Sequence, residues 1–248
     1  MKKLLVLIVV LISGCASSVD DPNFANEPSF AGIQDGYLVY TGYLLEESNQ
    51  KLFAAYENAA SKPTRLLISS GGGDIGLGIE LGNWIIEHEL DVEVLDVCAS
   101  SCANYVFPAG KTKYLRKDSV LIWHGSAWQQ NWRIPEGAQE WFDEWLNSIR
   151  ASETEYYAEL EVDNLLTVYG QHYVPSVFRL VFHNLTMGTG PKQGFDYSLE
   201  DMQRFGLSNI LLVDEEWNWR KHRPGVRQMV IRVPVSNDYE FTLRRFEI

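Results

Sequence analysis

Arg65-Leu66-Leu67-Ile68-Ser69-Ser70-Gly71-Gly72-Gly73-Asp74 joins a short apolar run to three consecutive glycines and a carboxylate. Arg65 to Ser69 reads as a buried strand, because the run is too short for a helix and is bounded by turn residues. The glycines allow a tight turn in which backbone amides come close to whatever lies beside them. Asp74 then reads as the N-cap of a helix carrying Ile75, Ile79, Trp84 and Ile85. Outward from this unit the pattern recurs. Val92 to Val97 is a strand, Ser101 onward a helix, and Ser119 to Trp123 a strand that ends at His124. Pro108 ends or kinks the intervening helix near Gly110. Upstream, Tyr37 to Thr41 is β-prone, and Glu46 to Ala60 has helical spacing that stops at Ser61-Lys62-Pro63. Strands alternating with helices predict an α/β fold with a parallel central sheet.

Residues 126–190 form a helical, aromatic-rich insertion. Trp141, Trp145 and Ile149, at four-residue steps, mark one face of a helix there, read as ordinary packing or an oligomer contact. Near the end, Val226 to Val235 and Tyr239 to Glu247 alternate well enough to predict a C-terminal β-hairpin across Ser236-Asn237-Asp238.

The start of the chain reads as an address. Met1-Lys2-Lys3 is the positive end, Leu4 to Ile12 the apolar run, and Ser13-Gly14 the small residues of an export signal. Ile12-Ser13-Gly14-Cys15 resembles a lipobox, which makes Cys15 the expected lipidation site. Processing there leaves about 234 of the 248 residues, enough for one sizeable domain. The 21 basic residues fall to 19 against 33 acidic ones once Lys2 and Lys3 leave. That balance argues against a nucleic-acid groove, and membrane contact is expected through the lipid alone. No aspartate follows Cys15, so the expected location is the cell envelope, on the periplasmic face of the outer membrane.

In an exported chain Cys98 and Cys102 read as a disulfide fixing the turn before Ser101, with free thiols as the alternative. Neither the spacing of zinc sites nor that of thioredoxin-like sites is present.

Three features converge if the sheet is parallel, since loops at the carboxyl ends of neighbouring strands share one edge. They are Gly71-Gly72-Gly73, Ser100-Ser101-Cys102 and His124. A serine at a helix start has free amides beside it, a glycine turn offers more, and a histidine at the next strand end can take the serine proton. Gly71-x-Gly73-x-x-Gly76 also satisfies a dinucleotide fingerprint, with Asp96 as its acidic partner. That oxidoreductase reading leaves Ser101 and His124 unexplained.

At these residues the chain resembles the proteolytic subunit of the Clp protease and its crotonase-like relatives, which are built from repeated β-β-α units. The likeness runs from about Tyr37 to Gly125, with weaker matching around Tyr197 to Val213. Leu67 to Gly73 is similar to that family's strand and substrate-binding turn, Cys98 to Ala103 to its nucleophile turn, and Val120 to His124 to its histidine-bearing strand. The resemblance implies Ser101 as nucleophile, His124 as general base, and the amides of Gly72 and Cys102 as an oxyanion hole, with Gly73 in the substrate-binding turn. Gly194 stands where the family carries an aspartate, so Asp196 becomes the candidate to orient His124, a carboxylate from the insertion being the alternative.

The organisation expected is a lipoprotein signal (1–14), a tether (15–30), a Clp-subunit-like domain (31–214) and a C-terminal extension (215–248). The function expected is a serine endopeptidase cleaving peptides or unfolded protein without a cofactor. The alternative is a crotonase-fold scaffold that has lost activity. Oligomeric state stays open, because the family's ring-contacting segment coincides with the aromatic insertion.

Overall fold

The computed structural model of the chain describes residues 29–130, 132, 134, 136–173 and 194–246. The export signal, Cys15, most of the tether and the end of the insertion lie outside the described residues.

Among them, β1 (Phe30–Gln34), β2 (Tyr37–Thr41), β3 (Arg65–Ser70), β4 (Asp91–Ala99), β5 (Lys113–Leu115), β6 (Val120–Ile122) and β8 (Ile210–Leu212) form one sheet. Its order is β1-β2-β3-β4-β5-β8, with β6 also on β4. The β1–β2 pair is antiparallel and the others are parallel. The α/β class is therefore as expected. Phe30, the last residue of the expected tether, opens β1.

Register follows burial. Leu38, Tyr40, Leu66, Ile68, Val92 and Val94 are all fully buried, and Leu38 pairs with Leu66, Tyr40 with Ile68, and Ile68 with Val94. Each such aliphatic side chain contributes about 1.5–3 kcal/mol by leaving water. A one-residue slip would send the whole set to the opposite face. Helix α1 (Glu46–Asn58) packs on β1, and α2 (Ile75–Glu87) starts at Asp74, whose carboxylate accepts from Leu77 N at 3.0 Å.

Beyond β4 a π-helical turn, Cys102–Val106, runs into the short α3 (Phe107–Ala109), which ends at Gly110 as Pro108 predicts. The insertion supplies α4 (Gln139–Glu159), a 21-residue helix. Its buried line is Phe142, Leu146, Glu153 and Tyr157, while Trp141 is 56% exposed. The buried face is thus rotated by one residue from the Trp141–Trp145–Ile149 line. Trp132 and Phe142 sit against Trp145, and Trp141 stacks on it from the solvent side.

The C-terminal hairpin takes a different form. β9 (Val230–Arg232) pairs in parallel with β7 (Gly194–Asp196), forming a second, two-stranded sheet. Tyr239 to Phe246 contains no strand. Its polar groups are committed elsewhere: Tyr239 Oη, Thr242 N and Arg245 all donate to Asp163, and Arg244 pairs with Glu155. Alternation along the sequence could not distinguish a ladder from an extended strap held by side chains.

Candidate active site

The three expected loops meet at one sheet edge. β4 is flanked by β3 on one side and β6 on the other, with Ser70 opposite Cys98 and Ala99 opposite Ile122. Between Ile68 and Ser70, β3 advances two residues while β4 goes from Val94 to Cys98. This bulge brings the turn after β4 level with the glycines. Asp96, inside the bulge, is ion-paired with Arg223, so it is not the free carboxylate that a ribose would need.

Ser100 is held at φ 55°, a left-handed conformation that costs a non-glycine residue about 1 kcal/mol or more. Its N–H donates to Ile122 O at 2.9 Å, and its carbonyl accepts from Asn104 N at 2.8 Å. The chain thereby turns sharply from strand to helix with Ser101 at the corner. Cys98 and Cys102 are joined by a disulfide that closes this corner.

Gly72 shows why the turn is glycine. Its φ is +90°, and a Cβ there would lie 2.5 Å from Ala99 O, 2.6 Å from Ser100 Cβ and 2.9 Å from Ser101 N. Gly72→Ala should therefore cost at least about 2 kcal/mol, combining left-handed strain with a backbone clash. Urea unfolding checks this, and a loss within experimental error of zero would contradict the close approach.

Ser101 is 2% exposed, and its hydroxyl donates to Gly73 O at 2.8 Å. It makes no side-chain cap to the helix it precedes, so the ordinary capping role of serine does not apply. His124 follows β6 and is half-buried, and desolvation holds its imidazole below the usual histidine range. The ring is therefore neutral at pH 7, the form a general base needs. Among the described residues no hydrogen bond joins Ser101 to His124. The Gly72 N–H, expected from the resemblance to face an oxyanion, donates to Ser70 Oγ at 3.1 Å and is engaged within its own turn.

Asp196 does not act as sequence matching suggested. It is fully buried, and its carboxylate takes Arg220 Nη2 at 2.5 Å, Arg232 Nε and Nη2 at 2.9 and 2.7 Å, and Trp219 Nε1 at 3.1 Å. Two guanidiniums and an indole saturate both oxygens, which leaves none turned to His124. The main chain beside it does touch the site: Phe195 exchanges both backbone hydrogen bonds with Trp123, at 2.8 Å each.

Several polar residues around His124 escaped the sequence reading. Gln171 Nε2 donates to His124 O at 3.0 Å, and Asn104 Nδ2 to Gly125 O at 2.8 Å. Glu153, fully buried on α4, accepts from Tyr105 Oη at 2.9 Å and from Ala127 N at 3.0 Å. Asn104 was findable as a lone amide in an apolar helix three residues after Ser101. Glu153 was not, because α4 also carries Glu140, Asp143, Glu144, Glu155 and Glu159 with similar local surroundings.

No protein-family model matches the chain, and no curated protein matches it. Among solved structures, the chain is matched to the crystal structure of a peptidase from Plasmodium falciparum at 14% identity, over 51% of this chain and 78% of that one, with a TM-score of 0.39.

Proposed function

We propose that this chain is a serine hydrolase of the cell envelope, lipid-anchored at Cys15, that cleaves peptides or unfolded protein through an acyl-enzyme on Ser101. The observation that carries the reading is the packing of Gly72 against Ser100 and Ser101, on the edge where β6 delivers a neutral histidine.

In this scheme Ser101 Oγ releases Gly73 O and turns to His124, which accepts its proton as Oγ bonds to the substrate carbonyl carbon. The Cys102 N–H at the helix start, and Gly72 N–H once freed from Ser70 Oγ, hold the oxyanion, each donor worth about 3 kcal/mol of barrier in known cases. His124 returns the proton to the leaving amine as the C–N bond breaks. Water, deprotonated by the same ring, then releases the acid and restores Ser101. No carboxylate is assigned to orient His124, so the pair works as a dyad, more slowly than a full triad.

A fluorophosphonate probe tests the reading. Wild type should be labelled on Ser101, and Ser101→Ala and His124→Ala should not, all three remaining folded. A second reading, a binding protein on an inactive scaffold, is favoured by the engagement of Ser101 Oγ with Gly73 O and of Gly72 N–H with Ser70. Absence of labelling in folded wild type would establish it over the first.

A further inference from the structure

We propose that Glu153 is a positioning residue that ties the Ser101-bearing helical turn to the His124 loop. The role of His124 in this statement rests on the hydrolase reading above, and the tie itself does not. One carboxylate oxygen, Oε2, accepts from two segments that sequence keeps apart. Tyr105, four residues beyond Ser101, donates its hydroxyl at 2.9 Å, and Ala127, three beyond His124, donates its N–H at 3.0 Å.

The same helix also holds the carbonyl of that residue. Arg150, one turn before Glu153, donates Nε to Ala127 O at 3.1 Å and lies over the Trp128 ring. Gln171, Asn104 and Thr167 fix His124 O, Gly125 O and Ser126 Oγ in turn. Every residue from His124 to Ala127 is thus clamped, and Glu153 alone among these clamps also grips the nucleophile's helical turn directly while carrying a titratable group.

Glu153 Oε1 is buried without a hydrogen-bond partner. A fully buried carboxyl with one idle oxygen is costly to keep for packing alone. Around it stand Tyr105 from the helical turn, Tyr156 and Tyr157 from its own helix, Arg150 one turn back, and the Ser126 hydroxyl from the loop. Burial raises its carboxyl to about 7, against the hydrogen bonds and Arg150, which favour the charged form. Once ionised, the group makes charge-assisted bonds to Tyr105 and Ala127, stronger than those of the neutral acid. The grip on the loop therefore tightens as pH rises through neutrality.

The test uses the full-length chain and its Glu153→Gln and Glu153→Ala variants. In NMR spectra of the wild type, the Ala127 amide shift should show a step near pH 7 that Glu153→Gln abolishes. This readout does not depend on activity. A flat Ala127 titration in wild type, or an identical step in folded Glu153→Gln, would overturn the tie. The rate of fluorophosphonate labelling should match between wild type and Glu153→Gln below pH 6. Above pH 7.5 the variant should fall about 10- to 100-fold behind, as expected for a displaced catalytic group. Parallel rates at every pH would show that the tie does not position the reacting groups. Should Glu153→Ala fail to fold, the isosteric glutamine variant still decides the question. Loss of labelling in all forms with the Ala127 step retained would sink the hydrolase and leave the tie standing.

Discussion

Asp196→Ala should lose about 3–5 kcal/mol of stability, the range for removing one partner of a buried charge network. Asp196 is fully buried, whereas the Arg220 and Arg232 side chains are 22% and 36% exposed, so water reaches the orphaned guanidiniums in part. That places the expectation at the lower end, about 3 kcal/mol. The loss is large because one carboxylate joins three pieces of chain. It closes the β7–β9 pair through Arg232, opposite it in register, and anchors the short helix Trp219–His222 through Trp219 and Arg220. Urea unfolding monitored by tryptophan fluorescence measures it, and a cost below about 1 kcal/mol would mean the network is a surface pair in effect. Asp196→Asn should still be labelled at Ser101 at close to the wild-type rate under conditions where it is folded. A thousand-fold drop would restore Asp196 as the residue that orients His124.

The second large effect is on pH-dependent stability. The folded Glu153 carboxyl titrates at about 7 against an ordinary 4.5, so between those values the native state keeps a proton that the unfolded chain has released. Stability is then complete below about pH 4.5, declines as pH rises, and has lost the full contribution above about 7. The difference corresponds to about 3 kcal/mol. His124 works in the opposite sense: its folded value is depressed, so its contribution is lost as pH falls through the histidine range. The two trends overlap in the wild type, and the difference between Glu153→Gln and wild type isolates the first. That difference should favour the variant progressively from pH 5 to pH 8. A constant difference across the range would show that the carboxyl is not held neutral by burial.

Both effects concern residues whose roles local sequence concealed. The strand from Tyr37 to Thr41, the helix starting at Glu46, the strand from Arg65 and the helix end at Gly110 were legible, because alternation, apolar spacing, proline and glycine act within a few residues. The β4 bulge was not, since Leu95 and Asp96 look like any strand interior. β5, three residues long, is too short to show a period. On α4 the tryptophans misled the choice of face: bulk suggests burial, but Phe142, Leu146 and Tyr157 fill the core side and leave Trp141 to solvent.

The sequence alone determined the alternation of the longer strands and helices between Tyr37 and Trp123, and the placement of Ser101, Gly72 and His124 at the ends of strands. These follow from short-range rules, and a parallel sheet then carries strand ends to one edge. Tertiary structure decided which carboxylate serves which partner. Asp196 meets arginines 24 and 36 residues away, and Glu153 meets Tyr105 and Ala127 across 48 and 26. An acidic side chain carries the same local signature whether it ends in water, against a guanidinium or inside an apolar wall. Its charge and its role are fixed by what the rest of the chain brings to it.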